Sequence, residues 1–129
     1  GGEAAELFLE KSARDARSGE VRDGDEVALA STEAGIGAFN MLGAWSDARN
    51  CYYFNDYDPV LDRTRYTKQT WTIESAVKGR PVRFGDTVAF RNKHSGAYLT
   101  PSENGVTTRR DAYFWIIEPI ASPAAAPSR

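Results

Sequence analysis

Two stretches of this chain repeat each other closely enough to constrain how it folds. VRDGDEVA begins at Val21 and VRFGDTVA begins at Val82, with six of eight positions identical at a constant offset of 61 residues. The shared Gly-Asp favours a tight turn, because glycine adopts positive φ readily and aspartate hydrogen-bonds nearby backbone. The Val-Ala that follows begins an alternating, strand-like pattern. We therefore expect two copies of one turn-and-strand unit.

Each copy continues with matching landmarks. A Gly-Ala-aromatic triplet follows in both, at 37–39 and at 96–98. Each copy then ends in a short apolar run closed by glutamate, WTIE at 71–74 and WIIE at 115–118. In the second copy, His94-Ser95-Gly96 and Asn104-Gly105 read as hairpin turns. One unit is therefore predicted to be four short antiparallel strands.

A third ending of the same kind lies near the start of the chain. LFLE occupies 7–10, and the repeat favours a strand there. The competing interpretation is a helix over 4–17, the only segment with helical periodicity.

These motifs resemble one repeat of a β-trefoil of the fascin and hisactophilin kind. The resemblance covers 82–119 closely and 21–74 more loosely, because the first copy carries extra residues in its second half. The Gln-x-Trp motif of ricin-type repeats does not close either copy. The resemblance implies an all-β fold, a β-trefoil-like barrel of short antiparallel hairpins.

The repeat count leaves this barrel incomplete. A trefoil has three units, whereas the sequence offers two units and one closing strand, so part of one repeat is missing. We favour a missing third supplied by a second chain, because an open barrel exposes strand edges and the Gly1-Gly2 start is typical of a processed chain. The alternatives are that an insert at 47–68 adds strands, or that the domain pairs with a copy of itself. One domain is expected over 1–120, followed by a flexible Pro/Ala tail at 121–129.

The insert WSDARNCYYFNDYDPVLDR, at 45–63, is the most distinctive segment. Long loops on a rigid β scaffold commonly carry binding residues. Aromatic rings beside carboxylates suit sugars, since rings stack on the apolar sugar face and carboxylates accept hydroxyl hydrogen bonds. The alternative is that the rings belong to the core and the aspartates form turns. The candidate ligand-binding residues are Trp45, Tyr52, Tyr53, Asp56, Tyr57 and Asp58, with Asn92 and His94 from the second copy.

Catalytic and metal chemistry find little support in the sequence. The chain has one cysteine, Cys51, and one histidine, His94, too few for the common zinc sites. Oxygen-bearing residues at 55–62 do not match an EF-hand loop, and Ser95 and Ser102 lack the spacing of a nucleophile elbow. We therefore predict no cofactor, no metal and no enzymatic activity. Cys51 is expected to be a small buried residue, with a reactive thiol as the alternative.

Charge and hydropathy limit the partners. A net charge of -2 argues against nucleic-acid binding, and the absence of a run of 18 apolar residues argues against a membrane span. The second copy is locally basic. Its basic residues could bind acidic glycans or phosphates, or they could only solvate the outer faces of the strands. These residues are Lys78, Arg80, Arg83, Arg91, Lys93, Arg109 and Arg110.

The function predicted is a non-catalytic, lectin-like binding module for carbohydrate. The alternatives are a protein-interaction module, either a cytoskeletal binder or a protease inhibitor, and an accessory domain of a larger enzyme or toxin. The sequence leaves the compartment open between the cytoplasm and the outside of the cell.

Overall fold

The structure is a computed structural model that describes residues 7–11, 20–31, 41–45, 51–103 and 105–118. Its elements are β1 (Leu7–Lys11), β2 (Glu26–Ser31), β3 (Met41–Ala44), β4 (Cys51–Phe54), α1 (Arg63–Lys68), β5 (Trp71–Ser75), β6 (Thr87–Asn92), β7 (Tyr98–Ser102), β8 (Gly105–Arg109) and β9 (Trp115–Ile116). The nine strands found among these described residues all belong to one antiparallel sheet that curves into a nearly closed barrel. The Pro/Ala tail lies outside the described residues.

The predicted strand near the start of the chain is confirmed. β1 pairs antiparallel with β2 along its full length, from Leu7 opposite Ser31 to Lys11 opposite Val27. The alternative helix is excluded over 7–11, and its remaining residues lie outside the described ranges.

Strand pairing repeats from one copy to the next. β2 pairs with β1, β3 and β5, and β6 pairs in the same way with β5, β7 and β9. The second and third strands of each copy form a hairpin, β3–β4 and β7–β8. The first and fourth strands build the barrel wall. This arrangement confirms the predicted all-β class, in which the described strands form a nearly closed antiparallel barrel of short hairpins.

The Gly-Asp turn attaches the start of each copy to its own last strand. The Gly24 N–H donates to the Ile73 carbonyl at 2.7 Å, and the Gly85 N–H donates to the Ile117 carbonyl at 2.7 Å. In return, each isoleucine N–H donates to the carbonyl of the aspartate after that glycine, at 3.0 and 2.9 Å. The glycines have φ of 90° and 97°, which explains why glycine occupies both positions.

Two tryptophans bind equivalent strands. The Trp71 Nε1–H donates to the Leu42 carbonyl at 3.0 Å, and the Trp115 Nε1–H donates to the Leu99 carbonyl at 3.1 Å. Each indole thereby satisfies its polar atom while packing against the core, Trp71 fully buried and Trp115 half-buried.

One detail of the sequence alignment is wrong. The Gly-Ala-aromatic triplets place Phe39 at the position of Tyr98. Arg91 is the residue of the second copy that corresponds to Ala30. In the strand ladders Ala30 pairs with Met41 and Arg91 pairs with Tyr98, so Met41 and not Phe39 is the equivalent of Tyr98. Phe39 itself lies outside the described residues. The turn between β2 and β3 is longer than its counterpart, which displaces the register by two residues.

The core lies inside the barrel. Alternate residues of the strands point inward, as a sheet with one buried face requires. The hydrophobic cluster at its centre consists of Val27, Leu29, Leu42, Ala44, Trp71, Ile73, Val88, Phe90 and Leu99.

The insert proves to be partly regular structure. β4 is the ordinary third strand of the first copy, because it pairs with β3 as β8 pairs with β7. The added length lies mainly between β4 and β5, where residues 55–70 replace the shorter 110–114. This segment contains α1, which the sequence analysis did not predict. α1 has no buried residue, so it lacks the apolar periodicity that would have revealed it.

Candidate functional site

Four aromatic side chains form one surface on the first copy. Tyr52 and Phe54 lie two residues apart on β4 and therefore share a face. Trp45 follows β3, and its ring centroid lies 5.8 Å from that of Tyr52, 5.9 Å from that of Phe54 and 6.0 Å from that of Tyr57. These distances are typical of interacting rings. We call these four residues the aromatic cluster.

Trp45 is the base of the aromatic cluster. Its side chain is only 7% exposed, and its Nε1–H donates to the Tyr52 carbonyl at 2.9 Å. The indole lies against the backbone at Gly43, where a Cβ atom would be 2.6 Å from Trp45 Cε2. Glycine at this position is therefore what lets the ring lie flat against β3.

Tyr52 is the accessible member, with 48% of its surface exposed. Tyr53 behaves differently, because it is half-buried and packs against the hydrophobic core. The alternation of β4 thus assigns the predicted tyrosines to opposite faces. Tyr52 is available to a ligand, whereas Tyr53 supports the barrel.

Among the described residues of the second copy there is no such cluster. The ladders place Thr107 at the position of Tyr52 and Arg109 at the position of Phe54. The fold therefore tolerates polar residues at these strand positions, and the barrel does not require the aromatic rings.

Polar groups hold the segment after β4 in place. The buried Gln69 accepts a hydrogen bond from the Tyr57 N–H at 3.1 Å, and its Nε2 donates to the Asn55 carbonyl. The Arg65 guanidinium lies 5.3 Å from the centroid of the Tyr57 ring, a cation–π distance. Arg65 also pairs with Asp62 at 3.1 Å. The edge of the aromatic cluster is thus charged and ordered.

The two predicted aspartates differ in what they bind. Asp58 Oδ1 accepts hydrogen bonds from the N–H groups of Val60, at 2.7 Å, and Leu61, at 2.8 Å. These bonds, that of Leu61 first, hold the pKa of the Asp58 carboxyl below its usual value. Asp58 therefore builds a turn, whereas the exposed Asp56 offers its carboxylate to solvent.

That turn projects two aliphatic side chains into solvent. Val60 is 81% exposed and Leu61 is 88% exposed, the largest values among the large apolar side chains that the structure describes. Single exposed apolar residues are ordinary on protein surfaces, but adjacent ones on an ordered turn suit contact with a partner.

Asn92 and His94 lie at a different place. Asn92 is buried, its Nδ2 donates to the Lys68 carbonyl at 3.0 Å, and its Oδ1 accepts the N–H groups of His94 and Ser95, each at 3.1 Å. His94 Nδ1 lies 3.1 Å from Thr67 Oγ1. Both residues connect the β6–β7 turn to α1, and none of these bonds reaches the aromatic cluster.

The environment of Cys51 makes its thiol unreactive. It is half-buried at the start of β4, and burial raises the pKa of its thiol to about 12. The thiolate is the nucleophilic form, so the protonated thiol at neutral pH has little reactivity.

Much of the predicted basic character is neutralised by neighbouring carboxylates. The ion pairs are Lys78 with Asp23 at 3.0 Å, Arg80 with Asp86 at 2.8 Å, Arg91 with Glu74 at 3.9 Å, and Lys93 with Glu26. These ion pairs indicate that the four basic residues solvate the outer faces of the strands and do not form a binding site for an anion.

The described part of the chain groups no three histidine, cysteine, aspartate or glutamate side chains so that they could hold a metal ion. No helix in the described ranges is long and apolar enough to cross a membrane.

Sequence reasoning missed several residues of this site. Phe54 carried a signal, since it alternates with Tyr52 along a strand. Gly43, Arg65 and Gln69 carried none, because their roles depend on contacts between segments that are distant along the chain or on a helix without apolar periodicity.

Comparison with known proteins supports the fold alone. No protein-family model and no curated protein matches the chain. Among solved structures, it is similar to a chain described as the crystal structure of the lysenin pore, with a TM-score of 0.63 and 18% sequence identity. The match covers 92% of this chain and 36% of that chain. The chain therefore spans about a third of the length of this structural neighbour, with which it shares an all-β architecture.

Proposed function

We propose that this chain is a non-catalytic binding domain for carbohydrate, with the ligand lying on the aromatic cluster. The observation that carries the proposal is the exposed ring of Tyr52, held on the buried Trp45 at a place where the second copy has threonine. A ring that is already fixed loses little conformational entropy when a ligand stacks on it. The exposed Asp56 carboxylate and the Arg65 guanidinium add an acceptor and a donor for hydroxyl groups.

The surroundings of the other reactive groups support a role without catalysis. The only histidine of the sequence, His94, lies beside Thr67, and the Cys51 thiol is held protonated. Neither is arranged with a neighbouring base as an activated nucleophile requires.

A glycan array with the full chain tests this proposal. We expect binding to at least one glycan class, and Tyr52→Ala should weaken it at least tenfold while leaving the fold intact. A tenfold loss corresponds to about 1.4 kcal/mol. Tyr113→Ala is the matched control, because Tyr113 is similarly exposed but belongs to the second copy. Failure to bind any glycan, or equal losses in the two variants, would contradict the proposal.

A second candidate function is protein recognition through the turn that carries Val60 and Leu61. The turn is ordered by Asp58 and presents both side chains almost fully to solvent, as a loop that enters a partner's pocket would. Under this candidate the chain inhibits one or more proteases of a purified panel. Val60→Ser with Leu61→Ser should then abolish inhibition and leave glycan binding unchanged.

The similarity to a chain of the lysenin pore supports a further element of the proposal. Because the match covers only 36% of that chain, a domain of this fold can form one part of a larger protein. We include such an accessory role in a toxin-like assembly as part of the proposed function.

A further inference from the structure

The aromatic cluster presents one of its four rings openly to solvent. Tyr52 is 48% exposed, whereas Trp45 is 7% exposed and Phe54 is half-buried. Tyr57 is half-buried as well, and the Arg65 guanidinium lies over its ring at 5.3 Å from the centroid. The Trp45 and Phe54 rings support Tyr52 from below, with centroids 5.8 and 6.4 Å away. A ligand of the cluster therefore stacks on Tyr52.

The arrangement of the rings limits how many sugar residues the cluster can hold. A tyrosine ring and a pyranose ring are similar in size, so one exposed ring contacts one sugar residue. A surface for a longer glycan chain needs exposed rings in a row, whereas this cluster gathers its rings around Trp45, with the other three centroids within 6.0 Å. A second sugar residue would extend past Tyr52 and gain no further exposed ring from the cluster.

A buried amide fixes the backbone on both sides of one exposed carboxylate. The side chain of Gln69 accepts a hydrogen bond from the Tyr57 N–H at 3.1 Å and donates to the Asn55 carbonyl. Gln69 is only 4% exposed, so little water competes for these bonds. Asp56 lies between the two anchored residues and is exposed. Its carboxylate is thus an acceptor at a defined place, one residue from a ring of the cluster.

The charges beside the rings favour an uncharged ligand. The Arg65 guanidinium pairs with Asp62 at 3.1 Å, and this carboxylate balances its charge. The Asp56 carboxylate forms no ion pair within the described part of the chain. A carboxylate or sulfate group on a bound sugar would therefore meet the negative charge of Asp56, and like charges at short range weaken binding. Hydroxyl groups, in contrast, can donate to Asp56.

We propose that the aromatic cluster binds one neutral hexose of galactose or glucose configuration at the end of a glycan, and that it discriminates against acidic sugars. This inference rests on the proposed function and names its ligand class. The face of the hexose that carries C–H groups stacks on Tyr52, because C–H groups are attracted to the negative face of an aromatic ring. Hydroxyl groups of the same hexose donate to Asp56, and Arg65 donates to a hexose oxygen. Tyr52 thus limits the ligand to one sugar residue, and Asp56 determines the preference for a neutral one.

Two series of sugars test the size of the site with the full chain. The probes are methyl β-galactoside with galactotetraose and methyl β-glucoside with cellotetraose, each titrated and followed by NMR. We expect at least one methyl hexoside to bind. The tetrasaccharide of the same sugar should then have a Kd within about fivefold of that of the hexoside, because a site for one sugar residue gains no contacts from the others. A larger difference in Kd would overturn the inference.

The matching methyl uronide, which carries a carboxylate in place of the hydroxymethyl group, tests the charge preference. We expect the chain to bind the hexoside at least about fivefold more tightly than its uronide. Asp56→Asn should reduce this preference to about twofold or less, since asparagine keeps an acceptor oxygen without the charge. Glu118→Gln is the matched control, because it removes an exposed carboxylate after β9 and should leave the preference unchanged.

The outcomes separate this inference from the proposed function. Equal binding of hexoside and uronide, or an unchanged preference in Asp56→Asn, would overturn the inference. A chain that binds glycans on the array but neither methyl hexoside would also overturn it and leave the proposed function in place. Absence of binding to any glycan would overturn the proposed function and this inference together.

Discussion

Replacing Gly43 with alanine will place a methyl group inside the space that the Trp45 indole occupies. The added Cβ would lie 2.6 Å from Trp45 Cε2 and 3.0 Å from Nε1. Carbon atoms in favourable contact are about 3.5–4.0 Å apart, so ring or backbone must move by roughly 1 Å. The backbone has little freedom, because Gly43 is paired with Tyr52 in the β3–β4 ladder.

The cost follows from these contacts. Overpacking of a well-packed site costs about 1–3 kcal/mol. If the ring swings away, the Trp45 hydrogen bond to the Tyr52 carbonyl is also lost, which adds about 1 kcal/mol. We expect Gly43→Ala to lower the free energy of unfolding by about 2–4 kcal/mol, or the Tm by roughly 10 °C.

A double-mutant cycle isolates the mechanism. Trp45→Ala alone should cost about 3 kcal/mol, because it truncates a buried aromatic side chain. In that background the alanine at 43 meets no ring, and Gly43→Ala should be neutral or stabilising by up to about 1 kcal/mol, since glycine is unfavourable in a strand. The expected coupling energy is therefore about 2–5 kcal/mol.

Urea denaturation followed by far-UV circular dichroism measures all four proteins of the cycle. Near-UV circular dichroism reports whether Trp45 has left the aromatic cluster. Additivity within about 0.5 kcal/mol would refute the reasoning, because it would mean that the indole does not lie against Gly43.

Three further predictions concern other parts of the barrel. Trp71→Phe should destabilise the chain by about 2–4 kcal/mol, and Trp115→Phe by less than half as much, because only Trp71 is fully buried. Urea denaturation in which Trp115→Phe is the more destabilising variant would contradict this prediction. Cys51 should react with a disulfide reagent at pH 8 at least about a hundredfold more slowly in the native chain than in urea, because burial raises its pKa; equal rates would refute this. The Arg80 guanidinium lowers the pKa of Asp86 in the folded protein. The ionised carboxylate therefore stabilises the fold fully above the unfolded-state pKa of about 4. This stabilisation is lost as the pH falls through the lower pKa that Asp86 has in the folded state. Asp86→Asn should therefore lower the Tm at pH 7 and approach the wild-type Tm near pH 2, and a pH-independent difference would contradict this.

The repeated segments were predictable because local chemistry determines them. The Gly-Asp turn needs positive φ at Gly24 and Gly85, and both turns form the same backbone bonds. The short strands and the order of the hairpins follow from that pattern. The apolar LFLE run likewise identified β1 against a helical alternative.

The site was predictable only in part. Its aromatic residue types and their position between β3 and β5 were evident, but their roles were not. Trp45 becomes a buried base because Gly43 leaves room beside it, and Tyr53 faces the core because of the register of β4. α1 carries no apolar periodicity, so neither its existence nor the placement of Arg65 over Tyr57 could be inferred.

The sequence by itself determined the repeat, the all-β class and the residue types of the candidate site. The tertiary structure decided which rings are buried, how the strands pair and which charges are paired. Turns and strand starts depend on a few neighbouring residues whose backbone preferences act locally. Burial and strand pairing depend on contacts between residues far apart in the chain, such as Trp71 with Leu42, and only the folded barrel brings these together.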